Sequence, residues 1–337
     1  MTAWNPEKVR QDFVLLRNTD RVYFDNAATS QKPQCVLDAV EEFYQKYNAN
    51  VLRGLYPLSV EATERYEAAR RTVQRFIHAA CPEEIIFTRN ATESMNLVAY
   101  SYGMANLKAG DEILVSIMEH HSNILPWQMV SRATGAKLVF LECEPDGTIT
   151  KEKMDAAFSE HTRMVAVTQV SNVLGCVNDI PELVKRARAC GAAILMDAAQ
   201  SAPHMPIDVQ KLDVDFVAFS GHKMLAPMGI GVLYGKQELL EKMPPFLTGG
   251  EMIETVSRYD AVYAELPHKF EAGTVNAGGA VGLAAAIDYL ESYGMDKLHA
   301  VEQELTAYLF RGMKAIPHIH VLGSDREDNH TGIVSFA

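Results

Sequence analysis

Short, continuous apolar runs recur along the middle of the chain, and segments with helical spacing separate most of them. Many residues in these runs are β-branched. Such runs are typical of strands buried on both faces, and their alternation with helices predicts a mostly parallel sheet covered by helices. The seven predicted strands are Glu84–Thr88, Ile113–Ile117, Lys137–Leu141, Met164–Val170, Ala192–Met196, Phe216–Ser220 and Gly229–Tyr234.

The last two of these runs lie too close together for a crossover connection. Only a short loop with Pro227 and Gly229 separates Ser220 from Ile230. Parallel neighbours need a connection of roughly a dozen residues or more, which is usually a helix. The loop therefore predicts one antiparallel strand in the sheet.

Further elements are predicted on both sides of the sheet region. A first helix begins at Pro6 with Asn5 as its cap, because these residue types are favoured at those two positions. Other helices are predicted at Val36–Tyr47, Val60–His78, Gly279–Tyr293 and Met295–Ile316. Short strands are predicted at Arg21–Phe24, His318–Leu322 and Gly332–Phe336.

These elements predict three parts of the chain. Residues 1–20 form an N-terminal helical segment. Residues 21–278 form a large domain around the sheet, in which residues 244–276, rich in Gly, Pro and aromatic side chains, form an extended excursion. Residues 279–337 begin a small α+β domain, which we expect to be incomplete because the chain stops on an apolar strand.

Composition and charge exclude several classes of protein. Hydrophobic residues make up 48 % of the 337 residues and charged residues 22 %, which is globular composition and excludes a disordered chain. The net charge is −12 and no basic block occurs, so nucleic acid and anionic membranes are poor partners. No uncharged apolar run is long enough to span a bilayer.

The N-terminus and the cysteines indicate the compartment. The first residues are charged and do not form a signal peptide. The five cysteines are scattered without the spacing of a zinc site or a disulfide framework, which suggests a reducing environment. We therefore expect a cytoplasmic protein without a structural metal.

Polar residues collect where the predicted strands end. Ligands of open α/β sheets bind beyond the carboxyl ends of the strands. This distribution indicates an active site along one edge of the sheet. The strand-end segments are residues 88–93, 118–121, 171–172, 197–200 and 220–223.

Lys223 and Asp197 together suit one kind of cofactor chemistry. A lysine near the end of a buried strand is easily desolvated, and its free amine can then form a Schiff base. A carboxylate beside a pyridine nitrogen keeps that nitrogen protonated, which pyridoxal phosphate needs in order to withdraw electrons. Taken separately, the two residues are a surface lysine and an aspartate that caps the next helix. Together with the other strand ends, they favour a pyridoxal-phosphate site.

Thr92 is a candidate phosphate ligand, because it lies where a predicted strand gives way to a helix. Main-chain amides at a helix N-terminus bind phosphate, and a threonine hydroxyl adds a donor. The alternative is that Thr92 is an ordinary helix cap. Ser220 and His222, beside Lys223 in the sequence, could supply further phosphate contacts.

The remaining strand ends carry candidates for proton transfer and substrate binding. His120 and His121 are adjacent without a nearby third ligand, which is a weak metal signal, whereas one of them could stack on a cofactor ring and move a proton. Asn172 and Gln200 are neutral donors that could hold a carboxylate and a ring hydroxyl. Nothing marks Cys176 as a reactive thiolate, so we interpret it as structural.

Seven segments are similar to motifs of one enzyme family. They are Tyr23–Ala28, Arg89–Glu93, Met118–Asn123, Val170–Gly175, Asp197–Gln200, Ser220–Lys223 and Phe270–Thr274. On these motifs the chain resembles the class V aminotransferase family of pyridoxal-phosphate enzymes, and within it the group II cysteine desulfurases. The resemblance covers nearly the whole chain. It implies an α/β fold of fold type I, with a large cofactor-binding domain and a small C-terminal domain.

The resemblance also implies the roles of the site residues. Lys223 would hold pyridoxal phosphate covalently and move protons, Asp197 would pair with the ring nitrogen, and His120 would stack on the ring. Gln200 would contact the ring hydroxyl, and Thr274 would reach the phosphate of a partner subunit, which implies a homodimer. The implied phosphate ligands within the chain are Thr92, Ser220 and His222. The implied substrate residues are Ala28, Arg53 and Asn172, the last of which also lies near the ring.

The implied activity is the conversion of L-cysteine to L-alanine. The sulfur would pass as a persulfide to an acceptor protein for iron–sulfur cluster assembly. The family's persulfide-forming cysteine and its carboxylate-binding arginine would lie downstream of Ala337, so the resemblance implies a C-terminally truncated chain. Two local departures from the family pattern are Leu52, where histidine is usual, and Ala91, where a second threonine is frequent.

Two other classes of function stay open. One is another enzyme of the same cofactor class, such as a selenocysteine lyase acting on L-selenocysteine, an epimerase or a kynureninase-like hydrolase. The other is a non-catalytic cofactor-binding homologue that dimerises with, or regulates, an active relative. Formation of alanine and sulfide from cysteine would separate the desulfurase from both.

Overall fold

The computed structural model describes residues 5–324, 326 and 329–337. Residues 1–4 of the predicted N-terminal segment and residues 325, 327 and 328 of the predicted C-terminal domain lie outside this part. The helices are α1 (Pro6–Asp12), α2 (Val14–Arg17), α3 (Gln34–Glu42), α4 (Pro57–Phe76), α5 (Ala91–Leu97), α6 (Met104–Asn106), α7 (Leu125–Thr134), α8 (Lys151–Ala157), α9 (Ile180–Cys190), α10 (Val209–Leu212), α11 (Gln237–Lys242), α12 (Ala277–Tyr293) and α13 (Met295–Lys314).

Strands and shorter helical turns complete the described structure. The strands are β1 (Ile85–Thr88), β2 (Glu112–Ser116), β3 (Lys137–Leu141), β4 (Thr162–Thr168), β5 (Ala193–Asp197), β6 (Phe216–Ser220), β7 (Gly231–Gly235), β8 (Ile253–Val256) and β9 (Ala261–Tyr263). The 3₁₀ turns are Pro82–Glu84, His121–Asn123, Gly221–Lys223 and His268–Phe270. The π-helical segments are Phe43–Tyr47 and Val98–Gly103.

Seven strands form one mixed sheet in the order β1-β7-β6-β5-β4-β2-β3. The pairs β2–β3, β2–β4, β4–β5 and β5–β6 are parallel, whereas β7 runs antiparallel to β1. The predicted strands and the mostly parallel sheet are therefore confirmed, and the sheet contains one antiparallel pair, β1–β7. Asp197 on β5 lies opposite Ala218 on β6, so the polar ends of these two strands reach nearly the same level.

The middle strands are buried, as their continuous apolar runs predict. Every residue of β5, β6 and β7 is buried. Strand β3, at the end of the sheet order, has exposed residues at Lys137 and Phe140 and a buried one at Leu141. A strand with apolar side chains on both faces must be covered on both, which is why the interior strands lack polar alternation.

Contacts divide the chain into two compact units. Unit 1 comprises the chain up to Ser94 together with Phe219–Gly294. In this unit α12 packs against α3 and α4. Its start is capped by Asn276, whose side-chain oxygen accepts from the amide of Gly279 at 2.9 Å. The antiparallel hairpin of β8 and β9 occupies the middle of the predicted excursion.

Unit 2 comprises Met95–Ala218 and Met295–Ala337. Here α9 packs against β4 and β5. The Asp179 side chain caps α9 by accepting from the amide of Glu182 at 3.1 Å, and Gly191 ends the helix with a φ of 71°. The domain boundary predicted between residues 278 and 279 stays a prediction.

The predicted strand at Arg21–Phe24 is wrong. The segment is extended but belongs to no strand, and Val22 and Phe24 are 76 % and 93 % exposed. Among the described residues no strand pairs with this segment, and an apolar pattern without a neighbouring strand does not form a sheet. The predicted helix Val36–Tyr47 also changes character, because its second part is π-helical from Phe43 onward.

The two predicted C-terminal strands form only a small contact. Val321 and Phe336 make an isolated antiparallel bridge, and neither predicted segment is a strand. Main-chain hydrogen bonds of 2.9 Å in both directions join His320 and Ala337. The two segments therefore pair over too few residues to form the predicted ladder.

Three further properties describe the chemistry available to the chain. All five cysteines are free thiols. Among the helices of the described residues, none combines the length and apolar character needed to cross a membrane. Within the same part of the chain, His, Cys, Asp and Glu side chains form no group of three that could hold a metal ion.

Candidate active site

Lys223 lies in a tight turn at the end of β6. The amide of Gly221 donates to the main-chain oxygen of Ile230, and the amide of Met224 donates to the oxygen of Gly221, both at 2.9 Å. A Cβ at Gly221 would lie 2.8 Å from Cγ2 and 3.0 Å from the oxygen of Ile230, so this close approach requires glycine. Lys223 itself is half-buried in unit 1.

The main-chain oxygen of His222 is held by the segment that follows Ala28. Its donors are the Thr29 hydroxyl at 3.1 Å, the Ser30 amide at 3.0 Å, the Ser30 hydroxyl at 3.1 Å and the Lys32 ammonium at 3.1 Å. Lys32 also donates to the main-chain oxygen of Ser30. The turn after β6 is therefore fixed by residues far away in the sequence. The sequence analysis missed Ser30 and Lys32, because no local pattern indicates a contact over this separation.

The electrostatics of this region disfavour protonated groups. Burial lowers the pKa of Lys32 to about 8. Burial also lowers the pKa of His222, and the positive charges of Lys223 and Lys32 lower it further. His222 is therefore neutral at pH 7, and a neutral imidazole can still donate one hydrogen bond to an anion.

The start of α5 brings Thr92 and Ser220 together. The Ser220 hydroxyl oxygen accepts from the amide of Ala91 at 2.8 Å. The cap of the helix is Asn90, whose side-chain oxygen accepts from the amide of Glu93 at 3.0 Å, so Thr92 is not the cap. Thr92 lies instead in the first turn of α5, where main-chain amides favour an anion.

Two further candidates of unit 1, Arg53 and Thr274, lie next to the segment around Gly250 and Glu251. The Arg53 guanidinium pairs with the carboxylate of Glu251 at 2.8 Å. The amide of Gly273 donates to the main-chain oxygen of Gly250 at 2.9 Å, which fixes the backbone just before the exposed Thr274. Arg53 thus already has an acidic partner within the chain.

In unit 2, Asp197 and Gln200 lie at the end of β5. Both are 4 % exposed. A side-chain oxygen of Asp197 accepts from the amide of Ala199 at 2.9 Å, and its main-chain oxygen accepts from the amide of Gln169 at 2.9 Å. No α-helix follows directly, because α10 begins only at Val209, so the alternative that Asp197 caps the next helix is wrong.

His120 and Asn172 lie in loops that follow other strands of the same unit. The Nδ1 atom of His120 accepts from the amide of Ser122 at 3.2 Å at the start of a 3₁₀ turn, and the residue is exposed. The ring centroids of His120 and His121 are 5.7 Å apart. Asn172 is half-buried beside Ser171, which is buried.

Glu119 is a buried acid that the sequence analysis did not single out. It directly precedes His120 and is 7 % exposed. Its carboxyl oxygens accept from the amide of Thr168 at 2.8 Å and from the side-chain amide of Asn123 at 2.7 Å. Its place at the end of an apolar strand was the available signal, because such positions carry the other polar site residues.

Cys176 fits its structural interpretation. It is 1 % exposed, and its Sγ atom lies 3.7 Å from Sδ of Met118. Burial raises the pKa of the thiol to about 11. A thiol with this pKa carries almost no thiolate at neutral pH, and the thiolate is the nucleophilic form.

The two units thus each present part of the predicted chemistry. Unit 1 provides a lysine in a hydrogen-bonded turn and the N-terminus of α5, where Thr92 lies and where Ser220 contacts the amide of Ala91. Unit 2 provides the buried carboxylate of Asp197 and an exposed imidazole at His120. A ligand with an aldehyde, a pyridine ring and a phosphate would need a lysine for the aldehyde, a carboxylate for the ring nitrogen and a helix N-terminus for the phosphate.

Comparison with known proteins gives the context of these residues. The aminotransferase class-V family matches residues 22–337. A probable cysteine desulfurase from Synechocystis sp. is 51 % identical over 333 residues, which covers 97 % of this chain and 79 % of that protein.

Two solved structures are similar along almost the whole chain. The apo cysteine desulfurase from Thermococcus onnurineus NA1 has a TM-score of 0.95 and 42 % identity, and covers 100 % of this chain and 83 % of that one. A cysteine desulfurase from Escherichia coli has a TM-score of 0.88 and 39 % identity, with 97 % and 82 % covered. The predicted α/β architecture is therefore confirmed.

Proposed function

Because the chain belongs to the aminotransferase class-V family, we propose that it forms the cofactor-binding part of a pyridoxal-phosphate-dependent cysteine desulfurase, an enzyme that releases L-alanine from L-cysteine. The observation that carries this proposal is the pairing of β5 with β6. Asp197 lies opposite Ala218, and the chain continues from there to Ser220 and the turn of Lys223. Acid and amine thus follow neighbouring parallel strands, in a chain 51 % identical to a probable cysteine desulfurase.

The residues present fit pyridoxal phosphate. Its phosphate suits the first turn of α5, where Thr92 lies and where Ser220 contacts the amide of Ala91. Its ring nitrogen suits Asp197, a buried carboxylate at the end of β5. When bound, the cofactor supplies a protonated pyridine ring that withdraws electrons from the α-carbon of the substrate.

Lys223 and Asp197 would carry the proton chemistry. Lys223 would bind the cofactor covalently and, once the substrate amine displaces it, would take the α-proton at Nζ. Asp197 would hold a proton on the ring nitrogen through a charge-assisted hydrogen bond, which is stronger than a neutral one. Gln200 would donate to the ring hydroxyl, and His120 would lie over the ring and donate or accept a proton at its imidazole.

Phosphate and substrate would be held by the remaining candidates. His222 would donate to the phosphate beside Thr92 and Ser220. Asn172 would orient the substrate. Ala28 and Arg53 would line the substrate side, with Arg53 held by Glu251.

The proposal extends to assembly and place in the cell. An exposed Thr274 would contact the phosphate in a partner subunit, so the active form would be a homodimer. A sulfur-acceptor protein would take the sulfur toward iron–sulfur cluster assembly in the cytoplasm. Residues 21–278 would form the cofactor-binding domain, with residues 244–276 near the dimer interface, and residues 279–337 would belong to the small domain.

Covalent trapping of the cofactor tests the proposal. The protein loaded with pyridoxal phosphate is reduced with borohydride, digested and mapped by mass spectrometry. We expect the label on Lys223 and its loss in Lys223→Ala, whereas Lys211→Ala, which changes an exposed lysine, keeps it. A label on another lysine, or no label, would refute the site.

Turnover then separates the remaining alternatives. L-alanine formed from L-cysteine in the presence of a thiol reductant supports the desulfurase. Turnover of L-selenocysteine alone would favour a selenocysteine lyase. A labelled Lys223 that exchanges the α-proton of no amino acid for deuterium would favour a cofactor-binding homologue.

A further inference from the structure

Glu119 joins two strand ends and the turn that follows His120. One carboxyl oxygen of Glu119 accepts from the Ser116 hydroxyl and from the amide of Thr168 at 2.8 Å. Ser116 is the last residue of β2, and Thr168 is the last residue of β4. The other oxygen accepts from the side-chain amide of Asn123 at 2.7 Å.

The same contacts continue into α7. The side-chain oxygen of Asn123 accepts from the indole nitrogen of Trp127 at 3.2 Å, and both residues are fully buried. His120, in contrast, is exposed and lies in the short loop between Glu119 and Asn123. The exposed imidazole is therefore carried by a loop that is anchored on either side of it.

We propose that Glu119 is a positioning residue that fixes the loop of His120 to the carboxyl ends of β2 and β4. The role of His120 as the ring-stacking residue rests on the proposed function. The anchoring itself rests only on hydrogen bonds within unit 2.

The charge state of Glu119 fits this role. Burial raises the pKa of its carboxyl to about 8, despite hydrogen bonds from Ser116, Asn123 and Thr168 that lower it, and the negative charge of Asp197 raises it further. At neutral pH Glu119 is mostly protonated. In that form its carboxyl keeps the hydrogen bonds from Thr168 and Asn123, and the bond with Ser116 reverses so that the carboxyl proton is donated to the hydroxyl oxygen. The charged group that acts on Glu119 is Asp197, at the end of β5.

A neutral Glu119 has a consequence for Asp197. Two buried carboxylates in proximity disfavour double ionisation. A proton on Glu119 removes one of the two negative charges, which favours the ionised form of Asp197 that the proposed ring-nitrogen contact needs. Glu119 thus anchors the loop without adding a second negative charge beside Asp197.

Hydrogen–deuterium exchange of the purified full chain, measured before and after addition of pyridoxal phosphate, tests the anchor. In Glu119→Ala we expect the peptide that contains residues 118–124 to exchange about tenfold faster or more, because several hydrogen bonds of this loop are lost. Glu119→Gln keeps the shape and part of the bonding, and should stay within about threefold of the wild type. Glu160→Ala, which removes an exposed carboxylate, is the matched control.

The pH dependence of unfolding gives a second readout, which reports the charge state of Glu119. A folded-state pKa above the unfolded value makes the wild type lose stability as the pH rises from about 4.5 to about 8. Glu119→Gln cannot ionise, so its unfolding midpoint should lack this decline. If Glu119→Ala does not fold, Glu119→Asp replaces it in the exchange measurement, because the shorter side chain cannot reach the donors on Ser116, Thr168 and Asn123 together; unchanged exchange in that variant would overturn the positioning role.

The two proposals fail separately. Unchanged exchange in Glu119→Ala would overturn the positioning role whether or not the protein binds pyridoxal phosphate, whereas the same pH dependence in wild type and Glu119→Gln would refute only the protonated state of Glu119. Faster exchange in Glu119→Ala, with a wild type that binds no pyridoxal phosphate, would support the anchor and refute the proposed function. In the loaded protein, rescue of the cofactor absorption spectrum by Glu119→Gln but not by Glu119→Ala supports the link to His120, and equal spectra in both variants would refute that link.

Discussion

Arg70 and Glu271 form a bidentate ion pair in the interior of unit 1. Two guanidinium nitrogens of Arg70 lie 2.7 and 2.9 Å from the carboxylate oxygens of Glu271, and each side chain is 1 % exposed. Glu271 also accepts from the amide of Phe87 at 2.7 Å and from the Tyr66 hydroxyl at 2.8 Å. Glu271 therefore joins the segment that leads to Thr274 to α4 through Arg70 and to β1 through Phe87.

Breaking this pair should destabilise the protein strongly. Glu271→Gln leaves the buried Arg70 guanidinium with Glu67, at 2.9 Å, as its remaining acidic partner, and we expect a loss of about 3 kcal/mol in the free energy of unfolding. Chemical denaturation measures this loss. Glu42→Gln, which breaks the exposed pair with Lys46, should change stability little. A similar small effect for both variants would contradict the structural role of the buried pair.

Glu271 should also contribute to acid unfolding. Burial raises the pKa of its carboxyl, but the Arg70 charge and the hydrogen bonds lower it to about 2 overall. A folded-state pKa below the unfolded value stabilises the protein above about pH 4.5, and this contribution is lost as the pH falls through about 2. Acid titration of the unfolding midpoint should show the decline in wild type and a weaker one in Glu271→Gln. Equal slopes would count against the ionised pair.

Lys32 should make the protein more stable on the alkaline side. Burial lowers the pKa of Lys32 to about 8, whereas the unfolded value is near 10.5, so the unfolded chain binds more protons between these values. Stability therefore rises from about pH 8 to pH 10 in the wild type relative to Lys32→Met. Thermal unfolding at both pH values measures the difference. A difference that is constant with pH would show that Lys32 does not titrate in this range.

Asp197→Asn should separate cofactor binding from proton removal. The variant keeps a donor and acceptor but lacks the negative charge, so cofactor labelling at Lys223 should survive. Exchange of the substrate α-proton with deuterium should slow by about 10- to 100-fold, because a charge-assisted hydrogen bond contributes roughly 1.5–3 kcal/mol. Proton NMR of L-alanine in deuterium oxide measures the exchange. An unchanged rate would assign the ring-nitrogen contact to another residue.

Cys176→Ala should leave sulfur chemistry unaffected. The thiol is buried and its pKa is raised to about 11, so it supplies almost no nucleophilic thiolate. A misplacement of about 1 Å already costs roughly a hundredfold in rate, so a thiol held for packing is a poor substitute nucleophile. Sulfide release from L-cysteine in the presence of a reductant should be equal in wild type and variant. Loss of release in Cys176→Ala alone would overturn the structural interpretation.

Local pattern alone predicted much of the sheet. The apolar runs that became β3 and β6 match the observed strands at both ends, and the short loop after Ser220 predicted an antiparallel member of the sheet, in which β1 and β7 are antiparallel. These predictions succeeded because a buried strand and a tight connection are encoded by neighbouring residues. The polar residues at strand ends followed from the same reasoning, since a parallel sheet places its carboxyl ends along one edge.

Other features depended on contacts between distant parts of the chain. The run Arg21–Phe24 has the composition of a strand, yet no neighbour in this chain pairs with it, and it stays exposed. Thr92 could be taken for a helix cap until the backbone showed Asn90 in that position. Pairing and capping are decided by geometry that composition does not specify.

The sequence by itself predicted the strands and placed Asp197 and Lys223 at strand ends. It also carried the motifs that resemble one enzyme family. Only the folded chain decided that the His222 carbonyl is held by Thr29, Ser30 and Lys32, and that Glu119 accepts hydrogen bonds from the ends of two strands. The physical reason is that burial and hydrogen bonding depend on distances in space. Residues far apart in sequence acquire those distances only when the sheet has formed.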